Sequence, residues 1–366
     1  MTVSSPSPPY DIVVLGGDGI GPEVCDQSVR LLRAIEATGR TTRYRLRELP
    51  AGAGEYLRGG NALPDEVFAA CQNADAILLG AMGLPDVRYP NGKEIAPQLD
   101  LRERLGLYGG VRPIRLYHRD DTPLKGFDAG EIDFVIVRES TEGLFYGRGS
   151  VADLEADHCS NEMRITRDGA RRVCRLAFQW ARQQGRRRVT LIDKANVLST
   201  MVYMRHFFDE VAKEFSDIEA EHVYVDASAL YMVRDPKRFD VVVTENMFGD
   251  ILSDLAAGLV GGMGMAPSGD IGDSAAVFQP SHGSAPDIAG RGIANPIAMH
   301  LSLAMMLRWL GDDFSVAASD AIEAGVRTIF EDTTCRTGDM GGPLGTVDIT
   351  DRLIDSTLSC LSAAAT

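Results

Sequence analysis

No apolar run in the 366-residue chain comes near the ~18 residues that a membrane-crossing helix requires, so no membrane partner is expected. The opening residues, MTVSSPSPPY, lack the basic start and apolar core of a secretory signal. They read as a short disordered tail, and the expected compartment is the cytoplasm. Basic residues are scarce: 37 Lys and Arg stand against 52 Asp and Glu, a net charge of −15. That balance excludes a nucleic-acid surface, which needs clustered cations to displace counterions. The one dense basic run, GRRRV at 185–189, reads as the solvated end of a helix before a strand. Six cysteines, at 25, 71, 159, 174, 335 and 360, form no CxxC and no zinc-type spacing. They read as buried or free thiols in a reducing compartment. There is no GK[ST], which excludes a Walker phosphate loop.

What the chain does have is alternation. Strand-like runs (YDIVVLG, RYRLREL, DAILLG, DFVIVRE, RVTLID, AEHVYVD, FDVVVTE and 275–278) are separated by helical patterns at 22–38, 64–72, 97–105, 166–184, 199–215 and 247–258. Further helices are expected at 294–310, 315–331 and 347–362. The pattern implies an α/β fold with helices covering a large, mostly parallel central sheet. No Pro/Ser linker splits the middle. The glycine-rich stretches 106–110 and 258–272 are the candidate crossovers, which makes 107–265 a smaller domain inserted into a larger one built from 1–106 and 266–366.

The stretch GGDGIGPEV (16–24) joins a strand to a helix and resembles a dinucleotide turn. The fingerprint needs glycines at i, i+2 and i+5. From Gly17 the third position is Pro22, and from Gly16 the second is Asp18, whose charge would oppose a pyrophosphate. A tight turn feeding a helix with Pro22 at its first position accounts for the same letters, and a Rossmann fold is not expected.

The carboxylates are more informative. In ENMFGDILSDLAAG, Asp250 and Asp254 stand one helical turn apart on one face, with Ile251, Leu252 and Leu255 expected as the packed face. Two like charges with no basic neighbour suit an Mg²⁺ or Mn²⁺ site or a solvated acidic face. Asp226 follows an apolar strand, where open α/β sheets place functional groups and where Asp also caps helices. Lys194 likewise follows a strand, as a base of depressed pKa or as a surface lysine. Arg102, Arg112 and Arg138 each adjoin an apolar segment; converging, they would mark a di- or tricarboxylate substrate, and apart they would pair with nearby acids.

Taken together, GDGIGPEV, LRERLGLYGGVRP, VRESTEG, DKANVL, VDASALYMVRDP, FDVVVTENMFGDILSDLAAGL and HGSAPDIAGRGIANP resemble the β-decarboxylating dehydrogenases, in family order over nearly the whole chain. That family comprises isopropylmalate, isocitrate, homoisocitrate and tartrate/D-malate dehydrogenases. The resemblance implies an isopropylmalate-dehydrogenase-like two-domain fold, its larger domain binding NAD and its smaller one carrying the metal ligands and a homodimer interface. It implies Asp226, Asp250 and Asp254 as Mg²⁺/Mn²⁺ ligands, with Asp226 and Lys194 reaching across the dimer and serving as the acid/base pair. Arg102, Arg112 and Arg138 would bind carboxylate, and Gln98 and Leu99 the substrate's remaining group. The NAD site would comprise Ile20, His282, Gly283, Ser284, Ala285, Asp287, Ile288, Asn295 and Asn196. Asp287 would accept from the ribose hydroxyls and, with Ile288, disfavour a 2′-phosphate.

Two departures from the family pattern stand out. Relatives carry a tyrosine seven residues after the third arginine; here that position is Phe145, so Tyr146 is the candidate proton donor. Gln279 stands where isopropylmalate enzymes carry an acid. The expected activity is metal- and NAD-dependent oxidative decarboxylation of a 3-alkylmalate, 3-isopropylmalate first. Tartrate/D-malate or isocitrate is the alternative within the family, and a ligand-binding or regulatory homologue the alternative of another class.

Overall fold

In the computed structural model, residues 9–39 and 43–363 are described; the first eight residues of the expected tail lie outside them. The described residues form ten strands: β1 (Tyr10–Gly17), β2 (Tyr44–Glu48), β3 (Ala76–Ala81), β4 (Gly109–Arg115), β5 (Asp133–Glu139), β6 (Arg188–Asp193), β7 (Glu219–Tyr224), β8 (Val241–Thr244), β9 (Pro267–Ile271) and β10 (Ala276–Pro280). The fold is α/β, with mostly parallel strand pairing flanked by helices. Two compact units divide it: Met1–Leu101 with Gly261–Gly269 and Ser274–Thr366, and Arg102–Val260 with Asp270–Asp273. Among the described residues, no helix is long and apolar enough to cross a membrane.

In the first unit β1 pairs in parallel with β2 and β3, and β3 with β10. Ile12 to Leu15 and all of β3 are buried, as expected for parallel strands covered on both faces. Helix Gly21–Glu36 begins with Pro22 in its first turn and buries Val24, Leu31, Leu32 and Ile35 at helical spacing. The glycines before it serve close packing of backbone on backbone. A Cβ on Gly17 (φ +80°) would stand 2.1 Å from the Ala81 carbonyl oxygen, and one on Gly19 (φ +60°) 1.9 Å from that of Ser284. Asp18 is buried and accepts three main-chain N–H groups, from Ala53 (2.7 Å), Gly54 (2.8 Å) and Gly83 (2.8 Å). Its charge is satisfied within the protein.

In the second unit the strand order is β4-β5-β8-β6-β7. β5, β8, β6 and β7 are parallel neighbours, and β4 runs antiparallel to β5. Phe134, Ile136, Ile192, Met232, Val242 and Leu252 pack in its core. Strand β7 is the exposed edge, with only Val223 buried.

Several local expectations are corrected. Helix Ala53–Gly59 was not expected, because Gly52 and Gly60 bracket it with φ of 122° and 75°. The glycine-rich crossover contains β9, every residue of which is buried. The helix expected from 294 starts at Ile297, after Pro296 and beneath the Asn295 side-chain oxygen, which accepts from the Ile297 N–H. The next helix starts earlier than expected, at Asp313, because Asp312 caps it. Ile251, expected in the packed face, is 61% exposed, whereas Leu252 and Ala256 are buried.

Candidate active site

In the second unit, Arg112 on β4 and Arg138 on β5 occupy near-opposite register positions, Gly110 pairing with Arg138 and Arg112 with Ile136. Diagonal cross-strand positions of this kind share a face of the sheet. Helix Asn246–Gly258 packs there, its first turn capped by the Glu245 carboxylate, which accepts from the Phe248 N–H. Gly249 is required at that contact, since a Cβ would stand 2.7 Å from the Arg138 side chain. Asp250 and Asp254, one turn apart, face the guanidinium groups. Arg138 donates to Asp250 and to Asn246 Oδ1 at 3.0 and 2.7 Å. Arg112 lies 3.7 Å from both Asp250 and Asp254 and donates to Ser253 Oγ at 2.5 Å. Arg102, in the last turn of helix Pro97–Arg104, donates from Nε to Asp270 Oδ2 at 2.9 Å.

The three arginines therefore converge. Burial and then the neighbouring guanidinium charges pull Arg112 and Arg138 below the ordinary arginine range, against the opposing pull of Asp250 and Asp270. Burial, with the Asp250 charge adding to it, holds Asp254 above the usual carboxylate range, and Arg112 opposes the shift. Asp250 and Asp254 remain 42% and 58% exposed, so each keeps an outward side. Oxygen-only donors of this kind fit a hard divalent cation. Among the described residues, no group of three or more His, Cys, Asp or Glu gathers around such a position.

Asp226 lies elsewhere in the unit. It opens helix Val225–Arg234, immediately after β7, and accepts from Lys194 Nζ at 2.6 Å. That hydrogen bond holds its carboxyl below the usual range. Asn196 is exposed in the turn after β6. Phe145 packs against the Arg138 guanidinium, 5.0 Å from its ring centroid, whereas Tyr146 stacks on Arg164 at 3.9 Å and is 44% exposed.

The first unit carries the expected cofactor loop. The Ser284 hydroxyl donates to the Gly83 carbonyl at 2.5 Å and its own carbonyl accepts the Ile20 N–H at 2.8 Å. Gly83 is the residue whose N–H goes to Asp18. Ala285, next in the chain, is the only non-glycine residue with positive φ (37°) among the described residues. His282 lies 2.9 Å from the Gly283 carbonyl through Nδ1, which makes that nitrogen the donor. Its Nε2, buried without a partner, is an acceptor suited to a ribose hydroxyl or an amino group. Burial holds this imidazole below its ordinary pKa, in the neutral form that acceptance needs. Asn295 donates to Asp339 at 3.2 Å. Asp287 is exposed, Ile288 half-buried and Ile20 buried. Gln98 and Leu99 lie on helix Pro97–Arg104, with Gln98 Oε1 buried and unpaired. Gln279 is buried, its carbonyl accepting from Ser302.

Asn246, Ser253, Asp270 and Asp339 were missed in the sequence. Asn246 and Ser253 share the helix of Asp250, and their spacing to it was a usable signal. Nothing local marks Asp270, since its partner is 168 positions away.

Comparison with known proteins bears on this arrangement. Residues 11–353 match the family model described as isocitrate/isopropylmalate dehydrogenase. A 3-isopropylmalate dehydrogenase of Corynebacterium efficiens is 45% identical over 349 residues, 93% of this chain and 98% of the relative. One from Aquifex aeolicus is 40% identical over 364 residues, covering 95% and 97%. Among solved structures, an isocitrate dehydrogenase from Methylococcus capsulatus superposes with TM-score 0.85 at 36% identity, covering 95% of this chain and 99% of that one. A beta-decarboxylating dehydrogenase from Thermococcus kodakarensis gives 0.82 at 38% identity, covering 98% of each.

Proposed function

The chain belongs to the isocitrate/isopropylmalate dehydrogenase family, and from that premise we propose that it is an NAD- and divalent-metal-dependent enzyme that oxidatively decarboxylates a 3-alkylmalate, with 3-isopropylmalate first. The observation that carries this reading is the convergence of Arg102, Arg112 and Arg138 beside Asp250 and Asp254. The names of the similar enzymes support the choice of substrate.

A bound cation would supply Lewis-acid polarisation of the substrate's C2 oxygen, and a bound dinucleotide a hydride acceptor. Asp250 and Asp254 would hold the cation. The arginines would hold the β-carboxylate until it leaves as CO₂. The Lys194–Asp226 pair would take the C2 hydroxyl proton as a relay, Lys194 accepting it as its own proton passes to the Asp226 carboxylate. Tyr146 returns a proton to C3, the phenol that position 145 lacks. His282 to Ile288, with Ile20, Asn295 and Asn196, would receive the dinucleotide, the Asp287 carboxylate repelling a 2′-phosphate. Gln98 and Leu99 would meet the substrate's C3 substituent.

Asp226 would reach the cation from a second copy of the chain. Val202 and Tyr203, Leu230 and Val233, and Ile251 are large apolar side chains exposed on three helices of the second unit. Asp226 lies one turn from Leu230. A homodimer that buries this face brings Asp226 and Lys194 to the partner's arginines.

The test is NADH formation in the presence of Mn²⁺ with 3-isopropylmalate, isocitrate, D-malate and tartrate. Turnover highest on 3-isopropylmalate is expected. Ligand binding without turnover on any of the four would sink the enzyme reading.

A further inference from the structure

The Arg102–Asp270 pair is the most deeply buried ion pair of the site, with side chains 9% and 1% exposed. A carboxylate so placed competes with any substrate carboxylate for the same guanidinium, so it cannot be a simple aid to anion binding. We propose that Asp270 is a specificity-determining residue that matches the site to a doubly charged substrate and against a triply charged one. The proposal deepens the reading above and rests on it.

The argument is one of charge. Arg102, Arg112 and Arg138 face Asp250, Asp254 and Asp270, three cations against three carboxylates. The cluster is neutral as it stands. A divalent cation held by Asp250 and Asp254 leaves two positive charges, the complement of a dicarboxylate, and the Lys194–Asp226 ion pair, one charge of each sign, leaves that sum unchanged. Without the Asp270 charge there would be three, the complement of a tricarboxylate. Its influence extends beyond Arg102, since it also acts electrostatically on Arg112 and Arg138. At 1% exposure it is little screened by solvent or salt. Its position is fixed as well: a Cβ on Gly110 of β4 would stand 3.2 Å from Asp270 Oδ1, so the carboxylate sits directly on the strand that leads to Arg112.

Asp270→Asn keeps an oxygen to accept from Arg102 Nε and removes the charge. The probes are succinate and tricarballylate, unreactive anions of two and three carboxylates, bound to the Mn²⁺-loaded protein and measured by calorimetry and thermal shift. Wild type is expected to prefer succinate. In the variant the tricarballylate-to-succinate affinity ratio rises about tenfold or more, the scale of one unit charge a few ångströms away at an intermediate dielectric. The kcat/KM ratio of isocitrate to 3-isopropylmalate moves the same way. A variant that loses affinity for both anions in proportion, leaving the ratio unchanged, overturns the proposal and makes Asp270 a structural partner of Arg102. Should Asp270→Asn fail to fold, Asp270→Ser removes the same charge with less bulk and carries the same expectation. Wild type that binds neither anion overturns the functional reading and this proposal together. Wild type that binds both, with an unmoved ratio in the variants, overturns this proposal alone.

Discussion

Asp18 and Asp270 are both buried aspartates, at 5% and 1% exposure, yet they are neutralised in opposite ways. Asp18, in the first unit, is satisfied by three main-chain N–H groups from two segments distant in sequence. Asp270, in the second, is paired through Oδ2 with the guanidinium of Arg102. A carboxylate held by main-chain amides fixes where loops go and leaves no charge partner to be exchanged. A carboxylate held by a side-chain cation joins a balance of charge that a substrate or metal can shift. The same contrast runs through the surfaces: of the 13 large apolar side chains exposed among the described residues, ten belong to the second unit. The first unit is finished within the chain; the second keeps an apolar face for which a partner copy is the proposed cover.

The contrast breaks most sharply at Asp250. Asp250→Asn removes a proposed cation ligand, and turnover with Mn²⁺ should fall about a thousandfold or more, since the metal supplies several kcal/mol of charge stabilisation. NAD binding should persist, because the expected cofactor loop lies in the first unit. Unchanged rates would remove Asp250 from the metal site. Urea unfolding should shift less than for Asp18→Ala, because Arg138 keeps Asn246 as a partner.

Asp18→Ala is the complementary case. It strands three main-chain N–H groups, and each buried unsatisfied group costs about 1–3 kcal/mol, so a loss of at least about 3 kcal/mol is expected in denaturant titrations. A loss below ~1 kcal/mol would show that water replaces the carboxylate and that the turn is not held as described.

How much of this was legible beforehand depended on distance along the chain. The face of Asp250 and Asp254 was legible because helical spacing alone places it, and the arginines because each adjoins a strand or helix with a clear apolar pattern. Ile251 was misread for the same reason: the 251/255 stripe and the 252/256 stripe are equally apolar, and only tertiary packing selects the second. The strand β9 was hidden because a fully buried strand shows no alternation, and PSGDI has turn-like letters. Asp18 was read as a liability to a pyrophosphate, since its three donors lie 35 to 65 positions away. Asp270 had no local signal.

A third way to sharpen the comparison uses a buried neutral group of the first unit. His300 accepts at Nδ1 from Ser28 (2.9 Å) and donates from Nε2 to Thr350 (3.1 Å), whose own hydroxyl goes to the Thr346 carbonyl. Full burial lowers its pKa from 6.5 to about 3. The folded state therefore binds fewer protons than the unfolded one between these values. The stability is fully present above pH 6.5 and is lost as pH falls toward 3. At pH 5 the loss from this group is about 2 kcal/mol. The unfolding free energy from urea titrations should fall by that much more between pH 7 and pH 5 in wild type than in His300→Gln. Parallel falls in the two proteins would assign acid sensitivity to other groups.

The smallest expected effect returns to the second unit. Tyr146→Phe keeps the ring that stacks on Arg164 and removes only the hydroxyl. If that phenol protonates C3, kcat falls and KM stays, because the ring's packing and the arginine cluster are untouched. The fall should be about tenfold, below the usual contribution of a positioned acid, because a half-exposed site lets water deliver the same proton. An unchanged kcat would return the proton delivery to water and leave Phe145, against Arg138, as the residue that shapes that side of the site.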